Sequence, residues 1–524
     1  MPKVSDLFVI GGGVNGCGIA RDAIGRGLSV TLAEMNDIGG ATSSASTKLF
    51  HGGLRYLEYF EFRLVREALI EREILLKNMP HISWPMRFVL PLSSEMRFDN
   101  TTPTSRLLAR VLPWLRGRRP DWLIRLGLFL YDHMGGRQIL PATRTMTLAG
   151  TREGAPLKDK FVKAYEYSDC WVEDSRLVAL NARDAHMRGA QILTRTKVIS
   201  AEVKDGIWHI LTQDVQTGVQ CTYLARMLVN AAGPWVGDVI KSALRQNTND
   251  AVRLVRGSHI VTKRIYDHEK CYFFQGQDGR IIFAIPYETD FTLIGTTDAD
   301  HSDPSIAPVC SAQEQAYLLN FANAYFKTTL TDNDIVWRYS GVRPLFDEGA
   351  ENASSASRDY TLKLDRSLGA PVLNVFGGKI TTYRRLANSA LDQIQAELSH
   401  DGTPWTHDAA LPGGAFPVTE VDQQIDRLRE TYPFLDNAWA KRLIRAYGTD
   451  AHNVLGDARS AQDLGLSFGA SLSEREVRWL MTHEFARTAD DVLWRRSKLG
   501  LRLSQVQRDE LAAWMKHAKT DQAA

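Results

Sequence analysis

Residues 6–34 constrain this 524-residue chain more than any other stretch. An apolar run, Asp6-Leu7-Phe8-Val9-Ile10, ends in Gly11-Gly12-Gly13-Val14-Asn15-Gly16, which satisfies G-x-G-x-x-G through Gly11, Gly13 and Gly16. The pattern predicts a helix of about ten residues, closed by Gly25 and Gly27. A second strand, Leu28 to Ala33, then delivers Glu34, 18 residues beyond Gly16. In such a βαβ unit the first glycine permits the tight turn, the second lets the backbone approach a pyrophosphate, and the third allows close helix–strand packing. The helix N-terminus offers free N–H groups and the positive end of its dipole to phosphate, and Glu34 is placed to accept hydrogen bonds from a ribose. Strand, helix and acid all fall where a dinucleotide needs them.

The next segment, Ala41-Thr42-Ser43-Ser44-Ala45-Ser46-Thr47-Lys48, is small and hydroxyl-rich and runs into Leu49-Phe50-His51-Gly52-Gly53-Leu54-Arg55-Tyr56. Such a loop can lie along a bound cofactor and donate several hydrogen bonds, with Thr42, Ser43, Ser46 and Lys48 as candidates. A helical stretch from about Glu61 to Lys77 follows as scaffold. Beyond it the α/β pattern returns over 165–245: Asp174 is placed to cap a helix, a strand spans Gln191 to Leu193, and a buried strand from Met227 to Ala232 ends at Gly233-Pro234-Trp235. A strand ending in small residues and glycine allows close approach by a ligand at its carboxyl end. Residues 253–300 hold β-rich runs, Ile281 to Ile285 and Phe291 to Ile294, suited to a second, mainly β domain. A third strand–turn–helix element runs from Leu373 through Gly377-Gly378-Lys379 into a helix from Thr382 to about Leu398, whose N-terminus faces the strand end. After Pro412-Gly413-Gly414 the chain is helical and charged, and His483-Glu484 lacks metal-site spacing.

Composition narrows the function classes. A chain of this length is too long for one compact core. Its net charge of +2 gives no global attraction to nucleic acid. Five cysteines without a CxxC pair fit reduced, buried thiols of a cytoplasmic protein. The N-terminus has no secretory pattern, and no apolar run approaches the roughly 20 residues that span a bilayer.

The blocks GGGVNGCGIARDAIGRGLSV, ATSSASTKLFHGGLRYLE, YSDCW, NAAGPW, RGSHIV, IGTTD, YSGVRPL, SRDYTL and FGGKITTYR, with LPGG and RTADDVLWRR after them, resemble the aerobic FAD-dependent glycerol-3-phosphate dehydrogenases over nearly the whole chain. The resemblance implies an α/β fold with a discontinuous, Rossmann-like FAD domain of the glycine/D-amino-acid oxidase type over residues 1–90, 165–245 and 340–400. A β-rich substrate domain is expected over 91–164 and 246–339, and an α-helical C-terminal domain over 401–524. It also implies oxidation of sn-glycerol 3-phosphate to dihydroxyacetone phosphate, with electrons passed to a quinone at the cytoplasmic face of the membrane. A homodimer is among the assemblies the sequence allows.

Oxidising a phosphorylated secondary alcohol with flavin requires a proton acceptor and a cationic clamp, while the hydride chemistry belongs to the cofactor. In the matched blocks Arg55, Tyr56, Arg358 and Lys379 fit the clamp. Gly378, Thr381 and Thr382 begin a helix whose N–H groups suit negative charge on a reduced flavin ring. Arg343 resembles the family's arginine beside the reacting hydroxyl; guanidinium is effectively never deprotonated, so it stabilises developing alkoxide. His51 and His259 are the candidates for the base, imidazole having a pKa near working pH. Competing readings are an oxidase of the same fold that passes electrons to oxygen, and a membrane-docked flavin redox sensor.

Residues 97–125 carry Arg97, Arg106, Arg110, Arg116, Arg118, Arg119 and Arg125 against Asp99 and Asp121. Leu107, Leu108, Val111, Leu112 and Leu115 recur at helical spacing, and Pro113 would break or restart the helix. The segment reads either as an interfacial element on anionic lipid or as a core-facing helix with a solvated basic side.

Overall fold

The structure is a computed structural model that describes residues 3–93, 102–111, 120–246, 252–276, 279–346 and 359–523. Its first sheet has eight strands. The main path runs Tyr360–Asp365, Val372–Gly377, Gln220–Asn230, Val4–Ile10, Val30–Glu34, Gln191–Thr194, and the hairpin Thr196–Lys204/Ile207–Asp214 joins along Gln220–Asn230. The central strands are parallel, with Ile10 opposite both Ala33 and Asn230. Such strands are buried on both faces, which is why they read as unbroken apolar runs. Leu7 and Val9 enter the core shared with the helices, while Phe8 and Ile10 pack with Trp208 and Ile210 on the other face. The helix Val14–Gly25 packs against Asp174–Met187 and Tyr383–Leu398, so three distant segments build one dinucleotide unit.

The second sheet has ten strands and is mainly antiparallel. It includes Val252–Lys263, Cys271–Gln275, Ile281–Tyr287 and Phe291–Gly295, in the region expected to be β-rich. It also takes Leu49–Phe50, Ser83–Pro91, Lys163–Val172 and Ile335–Phe346. These four strands come largely from segments expected for the FAD domain. Ser83–Pro91 and Lys163–Val172 pair with each other along their whole length, Ser83 opposite Val172 and Pro91 opposite Ala164. Ile335–Phe346 pairs with Val252–Lys263. Local composition marks a strand as buried but not which sheet takes it.

The C-terminal region packs its own core from Leu428, Leu443, Ile444, Val477, Leu480 and Leu511, with one small hairpin, Ser467–Gly469/Leu472–Ser473. The RTADDVLWRR block fastens it to the first domain. Arg496 donates to both carboxylate oxygens of Asp37 at 2.6 and 2.8 Å, and Arg195 donates to Asp491 at 2.7 Å. These buried pairs hold the loop after Glu34, which lines the cavity described below. The helix at 174–187 is preceded by Glu173, so Asp174 is its first residue rather than its cap. Cys17, Cys170, Cys271 and Cys310 are buried, whereas Cys221 is exposed on its strand and departs from the expected burial.

Candidate active site

One cavity of about 830 Å³ opens where the carboxyl ends of the parallel strands meet the second sheet. The strand ends deliver Ile10 and Gly11, Ala33 and Glu34, Ala231 and Ala232, and Gly377 and Gly378 to its wall. In an open parallel sheet ligands bind in this crevice, outside the carboxyl ends of the strands.

The glycines of the fingerprint act as their spacing implies. Gly11 has φ +107°, and a Cβ on it would lie 2.5 Å from the Ala231 carbonyl oxygen. A Cβ on Gly16 would sit 1.9 Å from the Gly11 oxygen, so this position works by packing and does not itself line the cavity. Gly13 and Val14 face the cavity, and the Val14 N–H donates to Ser43 Oγ at 3.0 Å. Glu34 accepts the Gly12 and Asn36 N–H groups, each at 2.7 Å. Burial raises its carboxyl above the ordinary value, against the lowering effect of those two donors. Asn15 lines the cavity and donates to the Gly377 carbonyl at 3.1 Å, while its own amide oxygen is buried with no hydrogen-bond partner. Gly233, at φ +56°, has open space where a side chain would project. A glycine-walled cradle with a helix N-terminus and an orphan amide oxygen fits a dinucleotide.

The hydroxyl-rich loop divides. Thr42, Ser43 and Ser46 line the cavity, and Thr42 also ties the loop to the second sheet by donating to the Val342 carbonyl at 2.6 Å. Lys48 is the fourth residue of this loop expected to meet a cofactor. Its side chain is fully buried and donates to both oxygens of Asp174 at 3.0 and 2.9 Å, outside the cavity wall. A buried ammonium needs a carboxylate more than a ligand needs the lysine. Thr382 is likewise buried away from the wall, starting the helix that packs on Val14–Gly25, whereas Thr381 lines the cavity. The His51 N–H donates to Thr381 Oγ1 at 3.3 Å, joining two blocks more than 300 residues apart.

His51, Arg55, Tyr56, Lys379, His259 and Arg343 all line this one cavity. Gly53, at φ +76°, turns the chain so that Arg55 and Tyr56 face inward. The Lys379 ammonium lies 3.9 Å from the centre of the Tyr56 ring, a cation–π contact that holds both sides of the expected clamp together. Arg358 lies outside the described residues. Arg343 forms an ion pair with Asp298 and donates to Thr296 Oγ1 at 3.2 Å. Gly257 makes room for it, since a Cβ there would lie 2.4 Å from Nη2. His259 is buried, stacked on Tyr339 with ring centres 4.7 Å apart, and its Nε2 meets Thr47 Oγ1 at 3.0 Å. Burial, with the Lys48 and Arg343 charges, holds its pKa well below the ordinary imidazole value, so it stays neutral.

Asp298, Thr296 and Thr47 were not among the expected site residues. Asp298 stands in the IGTTD block, and an acid three residues beyond Gly295 in a matched block was the available signal. Phe273, Ile281 and Phe283 supply apolar lining to the same cavity. Among the described residues no cluster of His, Cys, Asp and Glu could hold a metal ion.

Residues 6–364 match the FAD dependent oxidoreductase family, and residues 404–520 match the C-terminal domain of alpha-glycerophosphate oxidase. D-erythritol 1-phosphate dehydrogenase of Brucella abortus is 48% identical over 99% of both chains. Aerobic glycerol-3-phosphate dehydrogenase of Escherichia coli is 44% identical over 98% of this chain and 97% of its own. Among solved structures, glycerol-3-phosphate dehydrogenase from Bacillus halodurans, complexed with FAD, superposes with a TM-score of 0.73 at 26% identity, covering 98% of this chain and 91% of its own.

Proposed function

Because the chain belongs to the FAD-dependent oxidoreductases, in the family of the aerobic glycerol-3-phosphate dehydrogenases, and FAD is its cofactor, we propose that it oxidises sn-glycerol 3-phosphate to dihydroxyacetone phosphate. The observation that carries this reading is the convergence of Arg55, Lys379 and Arg343, from three separate segments, on the cavity that holds the dinucleotide cradle. Bound FAD supplies the hydride acceptor, and the protein binds, orients and moves the proton. Lys379 and Arg55 hold the phosphate dianion, one as a point charge and the other through its planar donor fork. Arg343, steadied by Asp298 and Thr296, stabilises the alkoxide as the substrate hydroxyl loses its proton. His51 receives that proton, the C–H bond breaks with its electron pair, and the carbon–oxygen single bond becomes a carbonyl. The aromatic wall of Phe273 and Phe283 excludes water from the reacting carbon.

The Brucella relative favours a second reading, a four-carbon polyol phosphate held by the same clamp. Anaerobic bleaching of the flavin separates the two. Glycerol 3-phosphate is expected to bleach it fully within one turnover, and D-erythritol 1-phosphate with at least ~10-fold lower efficiency, a little over 1 kcal/mol of discrimination. The reverse order moves the assignment to erythritol 1-phosphate, and no bleaching by either leaves a sensor. Turnover that yields hydrogen peroxide and spares a quinone would make the protein an oxidase.

For the electron acceptor we assign a membrane quinone, reached by docking on one lipid face. Among the described residues no helix is long and apolar enough to cross a membrane. The helix Asp121–Met134 leaves Trp122, Leu126 and Phe129 exposed at 46–56% on one face. Pro103–Val111 adds exposed Leu107, with Arg106, Arg110 and Arg125 also exposed. Both helices pack against the turn Leu54–Tyr59, which carries Arg55 and Tyr56. An apolar strip beside cations suits anionic lipid. Arg97, Arg116, Arg118 and Arg119 lie outside the described residues. Replacing Trp122, Leu126 and Phe129 by serine is expected to abolish flotation with anionic liposomes while flavin bleaching persists. Undiminished flotation would end the docking assignment.

A further inference from the structure

We propose that Tyr131 is a positioning residue: its hydroxyl grips the Gly52 amide and so sets the loop His51–Tyr56 against the cavity. The proposal rests on the functional reading above in one respect, that this loop bears the proton acceptor and half of the phosphate clamp.

Tyr131 sits on the inner face of Asp121–Met134 and is 2% exposed. The Gly52 N–H donates to its hydroxyl oxygen at 2.7 Å. The hydroxyl donates in turn to Asp169, whose oxygens lie 2.8 and 2.9 Å away. The direction of this relay is fixed from behind. Buried Arg72 donates to Asp169 at 2.5 Å and to the Ser168 carbonyl at 2.8 Å, and its guanidinium lies 5.6 Å from the Tyr131 ring centre. Burial raises the Asp169 carboxyl to about 6 against the lowering effect of Arg72 and Tyr131, so near neutral pH it is ionised and can only accept. The tyrosine proton must therefore point at Asp169, and the oxygen lone pair is left for Gly52. Sterics agree with the hydrogen bonds, since a Cβ on Gly52 would lie 2.5 Å from Leu69 and 2.8 Å from the Tyr131 ring. Gly52 has no room for a side chain because Leu69 and this ring together occupy its place.

The loop is thus pinned at two successive amides, His51 to Thr381 and Gly52 to Tyr131, immediately before the left-handed Gly53 that swings Arg55 and Tyr56 inward. Tyr131 is absent from the cavity wall. It acts through the backbone. Removing the hydroxyl orphans a buried N–H and a carboxylate oxygen at once, and the cheapest relief is a shift of the loop.

The test is Tyr131→Phe in the full holoprotein. Single-turnover flavin reduction by saturating glycerol 3-phosphate should slow about 10- to 100-fold, the cost of a misplaced reacting group, and KM should rise, with FAD content per folded protein unchanged. A merely structural role would lower the active fraction and leave both constants of the surviving enzyme intact, and that result overturns the proposal. In the wild type the Gly52 amide should exchange with deuterium far more slowly than those of Tyr56 to Phe60. Fast exchange at Gly52 also overturns it, even where the variant fails to fold. If neither polyol phosphate bleaches wild-type flavin, the functional reading fails while slow Gly52 exchange still sustains the contact; bleaching in the wild type with an unimpaired variant sinks Tyr131 alone.

Discussion

Replacing His51 with asparagine is expected to slow substrate-driven flavin reduction by about 100-fold or more, the usual contribution of a positioned base, whereas His259→Asn should change it by less than ~10-fold. Both imidazoles line the cavity, and residue type alone cannot rank them. The environment does. His259 is enclosed, with Tyr339 stacked on its ring and Gly295 so close that a Cβ there would lie 2.1 Å from Cδ2. Burial, then the Lys48 ammonium and the Arg343 guanidinium, make its protonated form costly. A group that resists protonation cannot take the substrate's proton efficiently. His259 instead holds Thr47 through Nε2. His51 is half-buried at the end of a two-residue strand, and its backbone is anchored to Thr381. Stopped-flow bleaching under anaerobic conditions reads the two variants directly. A His51→Asn enzyme with the wild-type rate, or a greater loss in His259→Asn, would transfer the base away from His51.

What the sequence disclosed and what it hid follow from the range of the forces involved. The fingerprint was legible because part of what shapes it lies within its own unit, Gly16 meeting Gly11 and the Gly12 N–H meeting Glu34, although Gly11 itself is closed in by distant Ala231. The clamp was inferred from residue types in matched blocks, and the fold sets Lys379 over the Tyr56 ring. Pairing between distant strands was not. Nothing in the composition of Ser83–Pro91 or Lys163–Val172 tells which sheet will take them, since both sheets reward the same apolar, β-branched and aromatic residues. Polar residues whose work is done on other polar residues were hidden in the same way. Tyr131 drew no expectation from the sequence, and only the fold sets its hydroxyl between Gly52 and Asp169. Lys48 reads as a cation in a cofactor loop until Asp174 is found beneath it.

That last pair yields the largest expected effect on stability. Asp174→Ala should cost about 3–5 kcal/mol, because it leaves a buried ammonium without its partner. The carboxylate does more than neutralise Lys48. It accepts the Ser46 N–H at 3.1 Å, the Ser46 hydroxyl at 2.8 Å and the Ser175 N–H at 2.8 Å, so it ties the hydroxyl-rich loop to the start of Asp174–Met187. Lys48 in turn donates to the Ser44 carbonyl at 3.2 Å and lies 4.8 Å from the Tyr339 ring centre, the ring that stacks on His259. Loss of the carboxylate should therefore loosen the cavity wall at Ser46 and weaken FAD retention along with the fold. The double replacement Lys48→Met with Asp174→Leu is expected to recover much of the loss, since it removes both charges together and with them the cost of burying either. Urea denaturation of the holoproteins, with released FAD measured in parallel, separates scaffold from ligand. If Lys48 were a cofactor contact after all, the double variant would shed FAD as readily as the single one. As a scaffold pair it should keep FAD better than Asp174→Ala does, and a stability loss below about 1 kcal/mol in Asp174→Ala would contradict the pair's structural role.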